Sequence, residues 1–338
     1  MSCPIVDVLA NGTICLGPKV VCDGFSEGHP FRVQTHIHDD HMGNFNKSKG
    51  LQDLFMSPET RDLLIAEYNS DLEYRDNILP IELDIDYLIN DGSKLTLVSS
   101  NHMLGACQVA LELPYGIRIG YSGDFTWPLD NVIEVDVLVV DSTYGSPKSI
   151  RHYTQAEAEI CLQEIVCERL LHGPVHIKAH RGTIERVLHV LWGNVSVPIL
   201  ATGRLIREAE VYQKYGFAIG ALIHLDSEAG QTIIAEGSYV RLYSKGDSFG
   251  NEPRDGTSII CSAFMTDIDH PLKQFSDRSY SVALSNHADF NGTIAYVEAT
   301  KAKTVITDNT RTHGCELAIA IKNYLGIDAK PSSNRIPI

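Results

Sequence analysis

Residues 35–41 read Thr35-His36-Ile37-His38-Asp39-Asp40-His41, and they place three imidazoles and two carboxylates within seven positions. His36 and His38 are separated by one residue, so at the end of a strand their side chains point the same way and can bind one cation. Asp40 and His41 follow directly and can reach a second cation beside the first. The stretch therefore predicts a pair of metal sites.

The whole chain has 338 residues, a formal net charge of −15 and eight scattered cysteines. This length is enough for one large domain or two of ordinary size. No apolar run is long enough to span a bilayer, and the N-terminus lacks the basic-then-apolar pattern of a signal peptide. We therefore expect a cytoplasmic protein with reduced thiols and no membrane partner. The acidity argues against loose attraction to nucleic acid, but bound cations can reverse the field inside a cleft.

The first 147 residues read as short strands and turns, and polar groups follow directly after several of the strands. This is the position at which α/β sheets place their functional sites. The metal stretch follows a predicted strand at 31–35, and Asp23 follows one at 19–22. Predicted strands at 95–99, 117–121 and 135–140 are followed by His102, Asp124 and Asp141, respectively.

The pattern changes near residue 148 to alternating helices and strands. Thr154 and Glu157 form a capping box before an amphipathic helix, and a strand at 175–179 leads into a second helix. Such alternation predicts a parallel sheet with helices against it. We therefore expect an α/β fold with a second α/β unit over about residues 148–280.

The residues that follow the strands complete two coordination shells around the metal stretch. A lone histidine is more often a structural residue, and Gly-Asp often marks a turn, so each of these signals depends on the others. Imidazole and carboxylate ligands without thiolate suit zinc and tolerate manganese or iron. We expect one metal on His36, His38 and His102, a second on Asp40, His41 and His287, and Asp124 bridging the two.

Two divalent ions about 3.5–4 Å apart share a water and lower its pKa from 15.7 towards about 7. The resulting hydroxide is a nucleophile at neutral pH, and the ions also hold a phosphate oxygen and offset charge in the transition state. Asp40 is therefore a catalytic candidate as well as a ligand. The ligand set predicts a dinuclear metal-dependent hydrolase.

Two aspartates near the ligands have more than one interpretation. The leaving group needs a proton, usually from an acid that a second group holds, and Asp141 is placed to orient a histidine for this purpose. Asp141 equally fits a residue that caps the following turn through its side chain. Asp23 is either a partner that fixes a ligand histidine or a plain turn residue.

A set of basic residues lies in the second unit, several of them at predicted strand-to-helix junctions. Helix N-termini and arginines at such positions suit phosphate groups. The alternative is an ordinary solvated helix surface. The candidates for phosphate contacts are Lys178, Arg181 and Arg204.

Together these motifs resemble the metallo-β-lactamase fold carrying a β-CASP insert, a family of metal-dependent nucleases, over nearly the whole chain. The resemblance implies an αββα sandwich built from residues 1–147 and 281–338, with residues 148–280 as an inserted α/β β-CASP domain. It also implies that His313 lies just outside the ligands. The matching motifs are Asp23, His36-x-His38-x-Asp40-His41, His102-Met103-Leu104-Gly105, Ser122-Gly123-Asp124, Asp141-Ser142-Thr143-Tyr144-Gly145, Ser285-Asn286-His287 and Thr312-His313-Gly314.

The resemblance is strongest to bacterial exonucleases found beside DNA ligases and helicases, which are also described as messenger-RNA 3′-end processing factors. It implies two Zn²⁺ ions, with Mn²⁺ as an alternative, and an exo- or endonuclease that hydrolyses phosphodiester bonds of single-stranded DNA or RNA. A helicase, a ligase or a second copy of the chain is the implied protein partner. The family's general acid is a histidine of the insert, for which His270 and His180 compete. His287 is typical of members that act on RNA, but the group of strongest resemblance is linked to DNA. The choice between DNA and RNA as substrate therefore stays open.

Two other functions are also compatible with these residues. A dinuclear-zinc hydrolase of a small ester, thioester or cyclic nucleotide would use the same ligands, although a small substrate needs no large second unit. A catalytically silent partner subunit would keep the fold, although such relatives usually lose metal ligands and all seven are present here.

Overall fold

The structure is a computed structural model that describes residues 6–68, 71–247, 256–263 and 268–332. The chain divides into two compact units, Met1–Ile150 with His287–Ile338 and Arg151–Asn286. The expected division differs mainly at the second boundary. The strand Ser279–Val282 pairs with Thr257–Cys261 of the second unit, so this unit continues past residue 280.

The first unit contains two mixed sheets and three longer helices among its described residues. The first sheet has the strand order Val6–Val8, Ile14–Leu16, Val20–Cys22, Phe31–Val33, Asp53–Met56 and Ile78–Pro80. The second has the order Asp328–Pro331, Thr304–Thr307, Val137–Val140, Arg118–Tyr121, Cys107–Glu112, Lys94–Ser99 and Tyr87–Leu88. The helices are Pro58–Tyr68, Phe290–Ala299 and Gly314–Leu325.

An apolar core joins the inner faces of the two sheets, with Val33 of the first packed in one cluster with Leu97 and Val109 of the second. A second core lies between the outer face of the second sheet and the helices Phe290–Ala299 and Gly314–Leu325. The helix Pro58–Tyr68 buries its apolar side chains beside the first sheet. The layers are therefore helix, sheet, sheet, helix, which confirms the expected αββα class.

Parallel pairing determines where the site forms in this unit. Val20–Cys22 pairs in parallel with Phe31–Val33 in the first sheet. Val137–Val140 pairs in parallel with Arg118–Tyr121 and Thr304–Thr307 in the second. Parallel strands bring their carboxyl ends to one edge of a sheet, so the polar residues that follow these strands are placed together.

The second unit is built around a separate, mostly parallel sheet, which is the α/β arrangement that the sequence predicts. In its described residues the strand order is Ile223–His224, Ile199–Ala201, Val240–Ser244, Val175–Ala179, Thr257–Cys261, Ser279–Val282 and Leu272–Ser276, the last being antiparallel to its neighbour. The helices are Gln155–Leu170, Thr183–Leu191, Gly203–Lys214 and Glu228–Glu236. The predicted capping box between Thr154 and Glu157 is present.

None of the helices in the described ranges is both long enough and apolar enough to cross a bilayer.

Gly105 closes the turn that carries His102, and it has a positive φ of +75°. A Cβ added there would lie 2.5 Å from Oγ of Ser57 and 2.6 Å from the backbone nitrogen of Thr60. The carbonyl of Gly105 also accepts hydrogen bonds from the Ser57 and Thr60 hydroxyls, at 2.8 and 3.0 Å. Both the backbone angle and the surrounding space therefore require glycine at this position.

We expect Gly105→Ala to lower the free energy of unfolding by about 3 kcal/mol, because left-handed strain adds to overpacking. Gly116→Ala is the matched control, since Gly116 has a φ of +84° but no atom within 4 Å of an added Cβ. It should cost only about 1 kcal/mol. Equal losses for the two variants in denaturant titrations would contradict the packing argument.

Candidate metal centre

The carboxylate of Asp23 holds the metal stretch in place. Its Oδ1 accepts the backbone N–H of Thr35 at 2.8 Å, and its Oδ2 accepts the Thr35 hydroxyl at 2.7 Å. Oδ2 also lies 2.7 Å from Nδ1 of His41. Asp23 itself is buried at the end of strand Val20–Cys22. It therefore makes the contact expected of a partner that fixes a ligand histidine.

These contacts set the tautomers of two histidines. Because the Thr35 hydroxyl donates to Asp23, it accepts from Nδ1 of His36, which lies 3.0 Å away. The Nδ1 proton of His41 points at Asp23 in the same way. In both rings Nε2 is then the nitrogen that faces the site, as a metal ligand requires.

The first predicted ligand set converges closely. Nδ1 of His38 lies 3.2 Å from Nε2 of His36 and 3.1 Å from Nε2 of His102. Oδ2 of Asp124 lies 3.7 Å from Nε2 of both His36 and His102. A tetrahedral zinc with bonds of about 2.0–2.1 Å keeps its nitrogen ligands about 3.3 Å apart. These spacings match that requirement, and the four residues form one candidate metal group.

Two histidines of the second set also lie near the Asp124 carboxylate. Its Oδ1 is 3.2 Å from Nε2 of His41, and its Oδ2 is 3.8 Å from Nε2 of His287. Oδ2 of Asp40 is 3.8 Å from the same His41 nitrogen. Asp124 thus faces histidines of both predicted shells, which is the position that a bridging carboxylate needs.

The local electrostatics favour a cation in this cluster. Burial lowers the pKa of His36 well below its ordinary value and that of His287 to about 3, so both rings are neutral and able to ligate. Burial alone would also lower the pKa of His41, but the carboxylates of Asp124 and Asp23 outweigh it and raise that pKa. Burial would raise the pKa of Asp124, and the charge of His41 reverses this and keeps Asp124 ionised. The residues therefore fit a bound divalent metal.

Asp141 caps the following turn, which is one of its two predicted roles, and it also lies near a predicted ligand histidine. Its Oδ1 accepts the backbone N–H and the hydroxyl of Thr143, at 3.1 and 2.8 Å, so it does cap the turn. Its Oδ2 lies 3.9 Å from Nδ1 of His287. Burial, followed by the charge of Asp124, raises the pKa of Asp141 to about 7. A role in orienting a general acid stays a prediction.

The ring of His313 contacts a residue of the helix that follows it, and its predicted place beside the ligands stays a prediction. Its Nδ1 lies 3.3 Å from Oε1 of Glu316, three residues along the helix Gly314–Leu325. The reason is local: His313 immediately precedes this helix, where a carboxylate one turn on is within reach. Asp40 and His41 are instead contacted by Arg311, which the sequence analysis did not single out.

The predicted general acids and phosphate contacts all belong to the second unit. His180 and His270 are both exposed there and remain candidates for the acid. Lys178 donates to the backbone carbonyl of Asp247, and Arg204 donates to Oγ of Ser244 at 2.6 Å. Nε of Arg181 lies 3.2 Å from the carboxylate of buried Glu208, which offsets its charge. Their contact with phosphate stays a prediction.

Comparison with curated proteins identifies relatives that match different shares of this chain and of their own length. The chain is 33% identical over 129 residues to an uncharacterised protein in the ligase 3′ region of Acidianus ambivalens, covering 37% of this chain and 91% of that one. It is 34% identical over 121 residues to the DNA cross-link repair protein SNM1 of Arabidopsis thaliana, covering 34% of this chain and 24% of that one. It is 26% identical over 210 residues to the RNase J-like protein of Methanocaldococcus jannaschii, covering 54% of this chain and 49% of that one. The matches thus span less than half the length of the latter two relatives.

A solved structure supports the same fold over more of the chain. The crystal structure of a protein of unknown function from Enterococcus faecalis V583 matches with a TM-score of 0.60 at 13% identity, covering 91% of this chain and 79% of that one. No family model matches the chain. On its relatives and its ligand clusters, the chain belongs to the metallo-β-lactamase-fold β-CASP family of metal-dependent nucleases.

We expect Asp23→Asn to weaken zinc binding by about 10- to 100-fold, because an amide cannot accept from Thr35 and His41 as the carboxylate does. Zinc affinity is measured by competition with a chromophoric chelator. Asp39→Asn is the matched control, since Asp39 is an exposed carboxylate of the same stretch. Equal affinities for the two variants would contradict the role given to Asp23.

Proposed function

We propose that the chain is a zinc-dependent nuclease that hydrolyses phosphodiester bonds of DNA or RNA. The observation that carries this proposal is the convergence of His36, His41, His102 and His287 on the single carboxylate of Asp124. Residues from four separate stretches meet there, and all are of the type that holds zinc. The family membership supplies nucleic acid as the class of substrate.

The ligands for two Zn²⁺ ions would be those predicted above, with Asp124 between them. When bound, the ions lower the pKa of a water and offset the negative charge of a phosphodiester. The chain's own residues hold the ligands rigid, because Asp23 and Thr35 orient two of the rings. They also exclude bulk water, since His36, His41, His102 and Asp124 are buried. A prearranged, water-poor site of this kind strengthens electrostatic stabilisation of the transition state.

Several finer points are part of the proposal. Zinc is preferred over manganese because imidazole dominates the ligand set. His287 favours an RNA substrate, but both single-stranded RNA and single-stranded DNA need to be tested. We further propose a cytoplasmic location and a helicase, a ligase or a second copy of the chain as partner. His270 or His180 is proposed as the general acid.

Substitution of a ligand should abolish cleavage without unfolding the chain. We expect His38→Ala and Asp124→Asn each to reduce the cleavage rate by about 10³-fold or more, because metal-ion catalysis contributes several kcal/mol. The assay uses end-labelled single- and double-stranded DNA and RNA, and its product ladder also reports exo- or endonuclease action. His172→Ala and Asp130→Asn alter exposed residues and are the controls. Wild-type cleavage by either ligand variant would refute the assignment.

Removal of the metal should reversibly abolish the same activity. We expect dialysis against a chelator to stop cleavage and added Zn²⁺ to restore it, because the nucleophile depends on a lowered water pKa. Mn²⁺ and Mg²⁺ are added in parallel to rank the metals. Full cleavage by the chelated protein, verified as metal-free by mass spectrometry, would rule out metal-dependent hydrolysis.

A further inference from the structure

Arg311 contacts two residues of the second predicted ligand set. It lies between the strand Thr304–Thr307 and the helix Gly314–Leu325. Its Nη1 donates to Oδ2 of Asp40, and its Nη2 lies 3.0 Å from Nε2 of His41. These are the atoms through which Asp40 and His41 would bind a metal.

The guanidinium is held in this position from its other side. Its Nε lies 3.6 Å from Oδ2 of Asp308, which is buried. Asp308 is in turn fixed, because its Oδ1 accepts the backbone N–H and the hydroxyl of Thr310, at 2.9 and 2.5 Å. The backbone N–H of Asp308 donates to the carbonyl of Val140 at 3.0 Å. Arg311 is therefore anchored against the second sheet while its tip contacts the ligands.

Arginine at this place competes directly with a cation. A guanidinium carries a permanent positive charge and only donors, and this one occupies Oδ2 of Asp40 and the space beside Nε2 of His41. A metal ion cannot share that place with it, because two cations repel each other and both need the same carboxylate oxygen. A metal at the second site must therefore displace Arg311 from His41 and Asp40. The first set differs, because its three ring nitrogens and the Asp124 carboxylate approach one another directly.

We propose that Arg311 is a built-in competitor of the second metal, so that the two sites fill in order and with unequal affinity. This inference rests on the two-metal site of the proposed nuclease. The set His36, His38, His102 and Asp124 binds first. Asp40, His41 and His287 bind a cation only after Arg311 has been displaced. Hydrogen bonds to charged groups are strong enough to change a binding constant by about 10- to 100-fold, which sets the expected difference between the sites.

The experiment measures zinc binding directly on the whole chain. Metal-free protein is titrated with Zn²⁺ against chelators of graded affinity, and bound zinc per chain is counted by mass spectrometry. We expect the wild type to bind its second zinc at least about tenfold more weakly than its first, or not to bind it at all in the titrated range. Arg311→Ala should tighten the second site by about 10- to 100-fold and leave the first unchanged.

Arg311→Met tests the same point with a side chain of similar length, so loss of packing alone cannot explain the result. Thermal unfolding verifies that each variant folds. Lys303→Ala controls for the loss of one positive charge, because Lys303 is exposed and paired with Asp136. Two equal wild-type sites would overturn the proposal, and so would an unchanged second affinity in folded Arg311→Ala and Arg311→Met proteins.

The nuclease proposal is tested separately on the same samples. If the zinc-saturated wild type cleaves no nucleic acid, the proposed substrate is wrong, while the binding curves still decide the role of Arg311. If the protein is an active nuclease with two equal sites, the inference on Arg311 is wrong and the function stands.

Discussion

The carboxylate of Asp23 is the contact on which the ligand geometry depends. It accepts from the backbone and the hydroxyl of Thr35, and it pairs with Nδ1 of His41. Asp23 adopts a left-handed backbone conformation, with φ of +56°, which aspartate tolerates better than most residues. This conformation follows directly after a buried strand and turns the carboxylate towards the neighbouring strand end. Without that carboxylate, a buried N–H, a hydroxyl and an imidazole would all lose their partner.

A buried arginine also holds the metal stretch, through a glutamine that hydrogen-bonds Asp23. Arg32 donates to Oε1 of Gln34 at 2.7 Å, to the carbonyl of Gly43 at 3.0 Å and to Oγ of Ser48 at 3.2 Å. Gln34 in turn donates to the carbonyls of His36 and His41, at 2.6 and 3.1 Å. Burial lowers the pKa of Arg32 to about 10, yet the group stays charged at neutral pH. The stretch is thus fixed by one connected network, which prearranges the ligands and lowers the cost of ordering them when a metal binds.

The sequence predicted the parts of the site that depend on local order. His36, His38 and His41 lie within one short stretch, and residues such as Asp124 follow a strand whose apolar pattern is clear. Contacts that depend on three-dimensional proximity were not predictable in this way. Arg311 and Asp40 are 271 positions apart, and no pattern near residue 311 indicates an ion pair with the metal stretch. Very short strands such as Tyr87–Leu88 were also missed, because two residues show no periodicity.

The negative charge of the chain and of its site is unfavourable for an anionic substrate. The chain carries a net charge of −15, and a phosphodiester is an anion, so the protein's overall field opposes its approach. Physiological salt screens exposed charges over about 8 Å, and close to the site the local groups decide. There, the carboxylates of Asp23, Asp40 and Asp124 outnumber the guanidinium of Arg311. Bound divalent cations would supply the positive charge that this cluster needs to attract phosphate. In the proposed nuclease, substrate binding and water activation would therefore depend on the same ions, and side chains that compete with those ions would also affect substrate binding.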